Sequence, residues 1–287
     1  MAGLIDIIRR QILLQGPMTV AQYMEFCLAH PEHGYYRKRD PLGVAGDFTT
    51  APEISQMFGE LLGLWAGVVW QGMGEPNPVR LVELGPGRGT LMADARRAAR
   101  MVPGFADALR VHLVETSPVL RARQAATLAD ADPAWHGTDA DIPPGPAIVF
   151  ANEFLDALPV RQFQRGAAGW RERLVGLTAD GERLEFVLSP PQPINPLLPD
   201  SRKTAAPGAI VEVSPAVLNI AGRLGARIVR DGGAALIVDY GGAGGATLQA
   251  VRDQKYWDPL AAPGDADLTA HVDFAMLTAA LKATGAR

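Results

Sequence analysis

The sequence predicts an α/β fold: a mostly parallel sheet with an N-terminal helical region and a β-hairpin insertion. Three observations lead there. An apolar run at 79–84 ends beside an acid and enters three alternating glycines, Gly85, Gly87 and Gly89. Further apolar runs at 109–114, 147–151 and 234–238 are separated by stretches of helical pattern, the alternation expected of parallel strands joined by helices. Between them, the β-patterned runs 170–177 and 183–188 flank Asp180-Gly181, a turn pair that reads as a hairpin.

The elements follow in order. Leu4, Ile5, Ile8 and Ile12 recur at helical spacing, and the Thr19 hydroxyl is placed to cap a second helix. An aromatic, loop-like stretch follows, and then an apolar helix from about 54 to 70. We assign residues 1–75 to a helical cap or lid, with Tyr35, Asp47, Thr49, Thr50 and Glu53 as the lid candidates, and 76–287 to the sheet domain with an insertion at about 160–208. The first strand, 79–84, feeds the glycine loop, whose residues can take positive φ and let a ligand approach the backbone before a helix starts near Thr90. The second strand, 109–114, ends at Glu115, followed by a helix that Ser117 and Pro118 start. A third strand at Trp135-His136 precedes Asp139 and Asp141. The fourth run ends abruptly in Asn152, Glu153 and Asp156. The proline-crowded stretch 189–207 suits an extended connection, 215–230 a helix, and 234–240 a last strand ending in Asp239-Tyr240.

Composition narrows the function without supplying the chemistry. A chain of 287 residues, 48% hydrophobic and 20% charged, suits a globular protein with a sizeable core. A net charge of −4 argues against a nucleic-acid surface. The single Cys27 excludes an internal disulfide and a cysteine-based zinc site, and the five His include no His-x-x-x-His pair, so no metal is expected. No run of about 18 apolar residues is present to span a membrane. The first ten residues carry helical periodicity and no signal-peptide core, so the expected location is the cytoplasm of a bacterium.

Spacing decides the ligand class. A dinucleotide fingerprint, G-x-G-x-x-G, would need a third glycine where Thr90 stands. The pattern G-x-G-x-G with Glu83 two residues ahead of it resembles motif I of class I S-adenosylmethionine-dependent methyltransferases. Glu115, at the end of the next strand, is placed to accept hydrogen bonds from both hydroxyls of a ribose; the alternative is a Glu that caps the following helix.

Longer motifs extend the resemblance. GDFTTAPEISQMFGE at 46–60, the glycine loop, ANEFLDALP at 151–159, DLT at 267–269 and HVDF at 271–274 together resemble the family of the mitochondrial complex I assembly-factor arginine methyltransferase and its bacterial relatives. The resemblance implies a class I (Rossmann-like) methyltransferase using S-adenosyl-L-methionine, with a protein substrate, arginine methylation and a respiratory-complex subunit as acceptor in the mitochondrial branch. The chain departs from the family after Asp239-Tyr240, where small residues (241–246) replace an aromatic or His and an acid, and at Arg287, where the family continues and a class I sheet adds an antiparallel hairpin. The C-terminal end is therefore expected to be incomplete.

These implications assign roles. Glu83, Gly85, Gly87, Gly89 and Glu115 are the cofactor-binding candidates, with Asp139 on the adenine side. Arginine is a poor nucleophile while charged, and two carboxylates can grip a guanidinium and localise its charge. Glu153 and Asp156, with Asn152, are the catalytic candidates, aligned on one face if a helical turn starts there; the alternative is that Asp156 or Asn152 caps that turn. A non-catalytic assembly protein on the same fold is the other reading.

Overall fold

The computed structural model describes residues 3–38, 50–192, 197–199, 202–242 and 245–287. Asp47 and Thr49, two of the lid candidates, lie outside them. The chain divides into two compact units interleaved in sequence: Met1–Arg39, Asp156–Asn219 and Tyr240–Leu277 form one, and Asp40–Leu155, Ile220–Asp239 and Thr278–Arg287 the other.

The second of these carries the glycine loop. Its elements are helix α1 (Gln56–Gly72), strand β1 (Val79–Leu84), helix α2 (Thr90–Ala99), strand β2 (Leu109–Val114), helix α3 (Pro118–Thr127) and strands β3 (Ala134–His136), β4 (Ala147–Asn152) and β5 (Gly233–Val238). The strands form one parallel sheet in the order β5-β4-β1-β2-β3. The mostly parallel α/β sheet expected from the alternation is therefore present. Because β1 is followed by a crossover to one side and β4 lies on its other side, the strand order reverses between them, the position where open parallel sheets bind ligands at strand carboxyl ends.

Strand residues alternate in facing, so the register fixes the neighbours of each side chain. Glu83 is the Cα partner of Phe150 on one side and Leu113 on the other. That face packs a core of Leu81, Val111, Ile148 and Phe150 with Leu91, Met92 and Ala95 of α2 and Ala66 and Trp70 of α1. Trp65 of α1 lies 6.1 Å from the Phe150 ring, centroid to centroid.

Helix α1 meets α2 and the turn that follows it along glycines spaced four apart. A Cβ at Gly59 would lie 2.6 Å from Asp94 Cβ, one at Gly63 2.3 Å from the Ala95 carbonyl oxygen, and one at Gly67 2.7 Å from Val102 Cγ2. Residues four apart share a helix face, so the stripe lets α1 press its main chain against α2.

The first unit contains helices Leu4–Gln15 and Val20–Ala29 and a five-stranded sheet. Thr19 caps the second helix as expected: its hydroxyl accepts the Gln22 N–H at 3.1 Å while Gln22 Oε1 accepts the Thr19 N–H at 2.9 Å. The insertion is antiparallel: Arg161–Gly166 pairs with Gly169–Leu177, which pairs in turn with Leu184–Leu188. Met18–Thr19 and Ile210–Val213 complete that sheet around Phe163, Trp170, Val211 and Val213. Among the described residues, no helix is long and apolar enough to cross a membrane.

Candidate functional site

The glycine loop leaves β1 in left-handed conformations: Gly85, Gly87 and Gly89 have φ of 65°, 53° and 85°. A tight turn closes it, with the Gly89 N–H donating to the Pro86 carbonyl at 2.7 Å. Side chains are excluded twice over, because a Cβ on Gly85 would also sit 2.6 Å from the Phe154 ring. Thr90, at the position where a dinucleotide loop needs its last glycine, begins α2 and donates its hydroxyl to Glu53 Oε1 at 2.6 Å.

Glu83 lies beneath this loop, 3% exposed, on the apolar face of β1. Desolvation there pushes its carboxyl up to about 8. Its Oε2 is buried with no hydrogen-bond partner among the described residues, and so is Asn152 Oδ1. Glu83 pairs with Phe150, and Asn152 is two residues further along β4, so both polar groups belong to one face at adjacent strand ends. Buried polar atoms are normally paired, and two orphans at a strand-order reversal fit a ligand that brings its own donors.

Glu115 stands at the carboxyl end of β2. Its Oε1 accepts the backbone N–H groups of Thr116 and Ser117 at 2.8 and 2.7 Å, and Oε2 accepts Gln124 Nε2 at 3.3 Å. Both N–H groups precede the helix that starts at Pro118, so Glu115 holds the turn before it and the cap is Ser117, whose Oγ accepts the Leu120 N–H at 3.3 Å. Partial burial raises the Glu115 carboxyl, and the two N–H donors and Gln124 oppose that rise. Arg121 fixes the main chain here, donating to the carbonyls of Glu115 and His136.

Asp139 follows β3 in a single 3-10 turn, and both its oxygens are taken by Arg223, at 2.7 and 2.6 Å. Its carboxylate is thus committed to a bidentate ion pair that pins the loop.

Past β4 the expected helical turn is not formed, which corrects the alignment of Glu153 with Asp156. Glu153 instead takes a left-handed φ of 47°, a conformation that a non-glycine residue enters only when its surroundings hold it there. Asp239 Oδ2 does so by accepting the N–H groups of Phe154 and Leu155 at 3.2 and 2.8 Å, while the Glu153 N–H donates to the Val238 carbonyl at 2.9 Å. Burial raises the Glu153 carboxyl, opposed by hydrogen bonds from the Ala51 N–H and the Asn152 side chain. Asp156 falls in the other unit, where its carbonyl accepts the Ala270 N–H at 2.9 Å; the Tyr36 hydroxyl there is raised chiefly by burial, then by Asp267, with a smaller contribution from Asp156.

Of the lid candidates, Thr50 precedes the short helix Ala51–Ile54, and Glu53 within it accepts both Thr90 and Arg88, the latter at 3.4 Å. Tyr35 is buried in the other unit.

The sequence reading missed Gln124. It is 0% exposed, and its side chain reaches the Gly87 carbonyl at 2.7 Å, Glu115, and Trp135 Nε1 at 2.9 Å. The available signal was its place between Leu120 and Leu128, both buried on the same helical face. Also missed was the contact between His112 and His136, whose Nδ1 and Nε2 lie 2.9 Å apart. Burial lowers the first imidazole to about 4 and lowers the second as well.

Residues 61–287 match the model of a family described as "Putative S-adenosyl-L-methionine-dependent methyltransferase". The chain is 40% identical over 302 residues to the Drosophila melanogaster "Protein arginine methyltransferase NDUFAF7 homolog, mitochondrial", covering 94% of this chain and 68% of the relative. It is 42% identical over 291 residues to the Mus musculus "Protein arginine methyltransferase NDUFAF7, mitochondrial", covering 91% and 66%. A crystal structure of a superfamily member from Burkholderia thailandensis bound to S-adenosyl-homocysteine is similar with a TM-score of 0.81 and 28% identity, covering 98% of this chain and 76% of that one. These matches correct one expectation: the curated relatives are named as mitochondrial proteins of animals, which overturns the assignment to a bacterial cytoplasm.

Proposed function

The chain belongs to the S-adenosyl-L-methionine-dependent methyltransferase family that its residues 61–287 match, and from that premise we propose that it methylates an arginine side chain of a protein. The observation that carries the cofactor half of this reading is the pair of buried, partnerless atoms, Glu83 Oε2 and Asn152 Oδ1, on one face beside the glycine loop. The arginine half rests on the two curated relatives, both named protein arginine methyltransferases. The finer reading, a respiratory complex I subunit as acceptor, rests on the family resemblance.

When bound, S-adenosyl-L-methionine supplies an electrophilic methyl group on a sulfonium. Gly85, Gly87 and Gly89 leave the backbone bare for its amino-acid end, and the buried Glu83 carboxyl would receive its ammonium. Glu115 would accept the two ribose hydroxyls, exchanging part of its present N–H contacts for them. The loop pinned by Asp139 and Arg223 would border the adenine.

Glu153 is the proposed catalytic group. Its carboxylate would hold the acceptor guanidinium, localise the charge away from the reacting nitrogen, and take at an Oε atom the proton that this nitrogen releases. Asn152, hydrogen-bonded to Glu153, would orient that carboxylate. Closing the short helix Ala51–Ile54 over the loop through Glu53 and Thr90 would keep water from the nitrogen.

The test has two arms. Calorimetric titration with S-adenosyl-homocysteine, with NAD as comparator, is expected to give saturable binding of the former alone. Incubation of a mitochondrial protein extract with methyl-labelled S-adenosyl-L-methionine should then place label in methylarginine after acid hydrolysis. Label confined to lysine or to carboxyl esters would reject the arginine assignment while leaving the cofactor assignment intact.

A further inference from the structure

The two proposed cofactor grips, the glycine loop and Glu115, sit on different strands, yet one buried side chain touches both. Gln124 Nε2 donates to the Gly87 carbonyl at 2.7 Å and to Glu115 Oε2 at 3.3 Å. The third contact settles which way the amide points. Trp135 Nε1 can only donate, and it lies 2.9 Å from the other end of the amide, which must therefore be the oxygen. The nitrogen, with its two hydrogens, is then turned toward a carbonyl and a carboxylate, groups that can only accept. Helix α3 is anchored on the same face by the burial of Leu120 and Leu128, one turn to either side of Gln124.

We propose that Gln124 is a positioning residue for the cofactor, joining the glycine loop to the Glu115 carboxylate so that both are set in place together, with Trp135 fixing its orientation. The inference rests on the cofactor reading above. It asks nothing of Gln124 as a ligand contact. The amide holds the Gly87 peptide and keeps one Glu115 oxygen directed and hydrogen-bonded, so less ordering remains when a ribose arrives.

The test uses S-adenosyl-homocysteine binding by calorimetry to the whole chain, in a double-mutant cycle of Gln124→Met and Glu115→Ala, with thermal unfolding of each unliganded variant. Losing a buried hydrogen bond to a charged group predicts about tenfold weaker binding for Gln124→Met, and because the contact to Glu115 is shared, the double variant should be weaker than Glu115→Ala by clearly less than that factor, the remainder being the lost hold on Gly87. The loss in Gln124→Met should also grow as the pH falls, because Glu115 has lost a donor that favours its charged form; no such growth is expected when Glu115 is already Ala. Trp135→Phe keeps an aromatic ring at this position but removes the pyrrole half of the indole with the N–H that orients the amide. It is expected to fold and to weaken binding by about threefold.

Independent, multiplicative effects of the two substitutions would overturn the proposal and leave Gln124 a residue of the fold. Unchanged affinity in Trp135→Phe together with Gln124→Met would do the same. Failure of the unsubstituted protein to bind S-adenosyl-homocysteine would instead reject the cofactor reading on which the proposal stands.

Discussion

Thr90 donates its hydroxyl to Glu53 Oε1 at 2.6 Å, so the first residue of the helix that follows the glycine loop is tied to a segment almost forty positions earlier in the chain. A hydroxyl at this position does what the third glycine of a dinucleotide loop does not: it anchors a neighbouring helix instead of leaving room for close helix–strand packing. Hydrogen bonds to charged groups contribute about 1.5–3 kcal/mol when buried, and this one is half-buried, so Thr90→Val is expected to lower unfolding free energy by about 1 kcal/mol. Adding Glu53→Gln should cost little more, measured by urea denaturation of the single and double variants. Fully additive losses would show that the two groups act separately.

Glu83 should make the protein less stable as the solution becomes alkaline. Its carboxyl titrates near 8 when folded and at its ordinary value of 4.5 when exposed, so between these values the folded state binds a proton that the unfolded state lacks. Its contribution is complete below the ordinary value, declines through the interval and is lost above about pH 8. Glu83→Gln removes this slope. The variant should gain on the order of a few kcal/mol over the parent at about pH 8.5 and almost nothing at about pH 4.5, read by urea midpoints at the two pH values. Parallel pH profiles would contradict the burial argument.

Glu153→Gln separates chemistry from cofactor binding. With the carboxylate that would hold the acceptor gone, the turnover rate is expected to fall by about 10²–10³, while S-adenosyl-homocysteine affinity stays within about twofold. In the parent enzyme, burial raises this carboxyl, so activity should fall on the acid side at a pH above the ordinary glutamate range. A pH–rate profile whose acid limb survives in the variant would transfer that titration to another group.

Two glycines of α1 should respond oppositely to alanine. At Gly63 the new methyl would meet the Ala95 carbonyl oxygen at 2.3 Å and Ala95 Cα at 2.7 Å, both main-chain atoms. The overpacking cost of about 1–3 kcal/mol exceeds the gain of about 1 kcal/mol in helix propensity, so Gly63→Ala should destabilise. A Cβ on Gly72 meets nothing within 4 Å, and Gly72→Ala should stabilise slightly. Thermal unfolding of the two variants gives the comparison directly.

What could be read from the sequence was what local chemistry dictates. Gly85, Gly87 and Gly89 announced a loop of positive φ, Ser117-Pro118 a helix start, Thr19 a helix cap, and Asp180-Gly181 a hairpin turn; each follows from residues within a few positions of one another. Conformations decided at a distance were not legible. Glu153 is held left-handed by Asp239, some eighty residues later, so the three-residue spacing to Asp156 carried no information about facing. Gln124 looked like any polar residue between two alanines and an arginine, because its partners at Gly87, Glu115 and Trp135 arrive on three other segments. Asp139 was chosen as a strand-end acid, and nothing nearby in the chain foretold Arg223.

The glycine stripe of α1 has a consequence for how this chain can vary. At Gly63 the nearest neighbours are main-chain atoms of Ala95, so the separation of the two helices there is set by atoms common to every amino acid, while Gly59 and Gly67 face the side chains of Asp94 and Val102. The opposite side of the same helix, with Met57, Leu61 and Val68 largely exposed, is under no such constraint. One helix therefore has two tolerances: a glycine side where an added methyl meets its neighbours at under 3 Å, and an outer side where a changed side chain would meet mostly solvent.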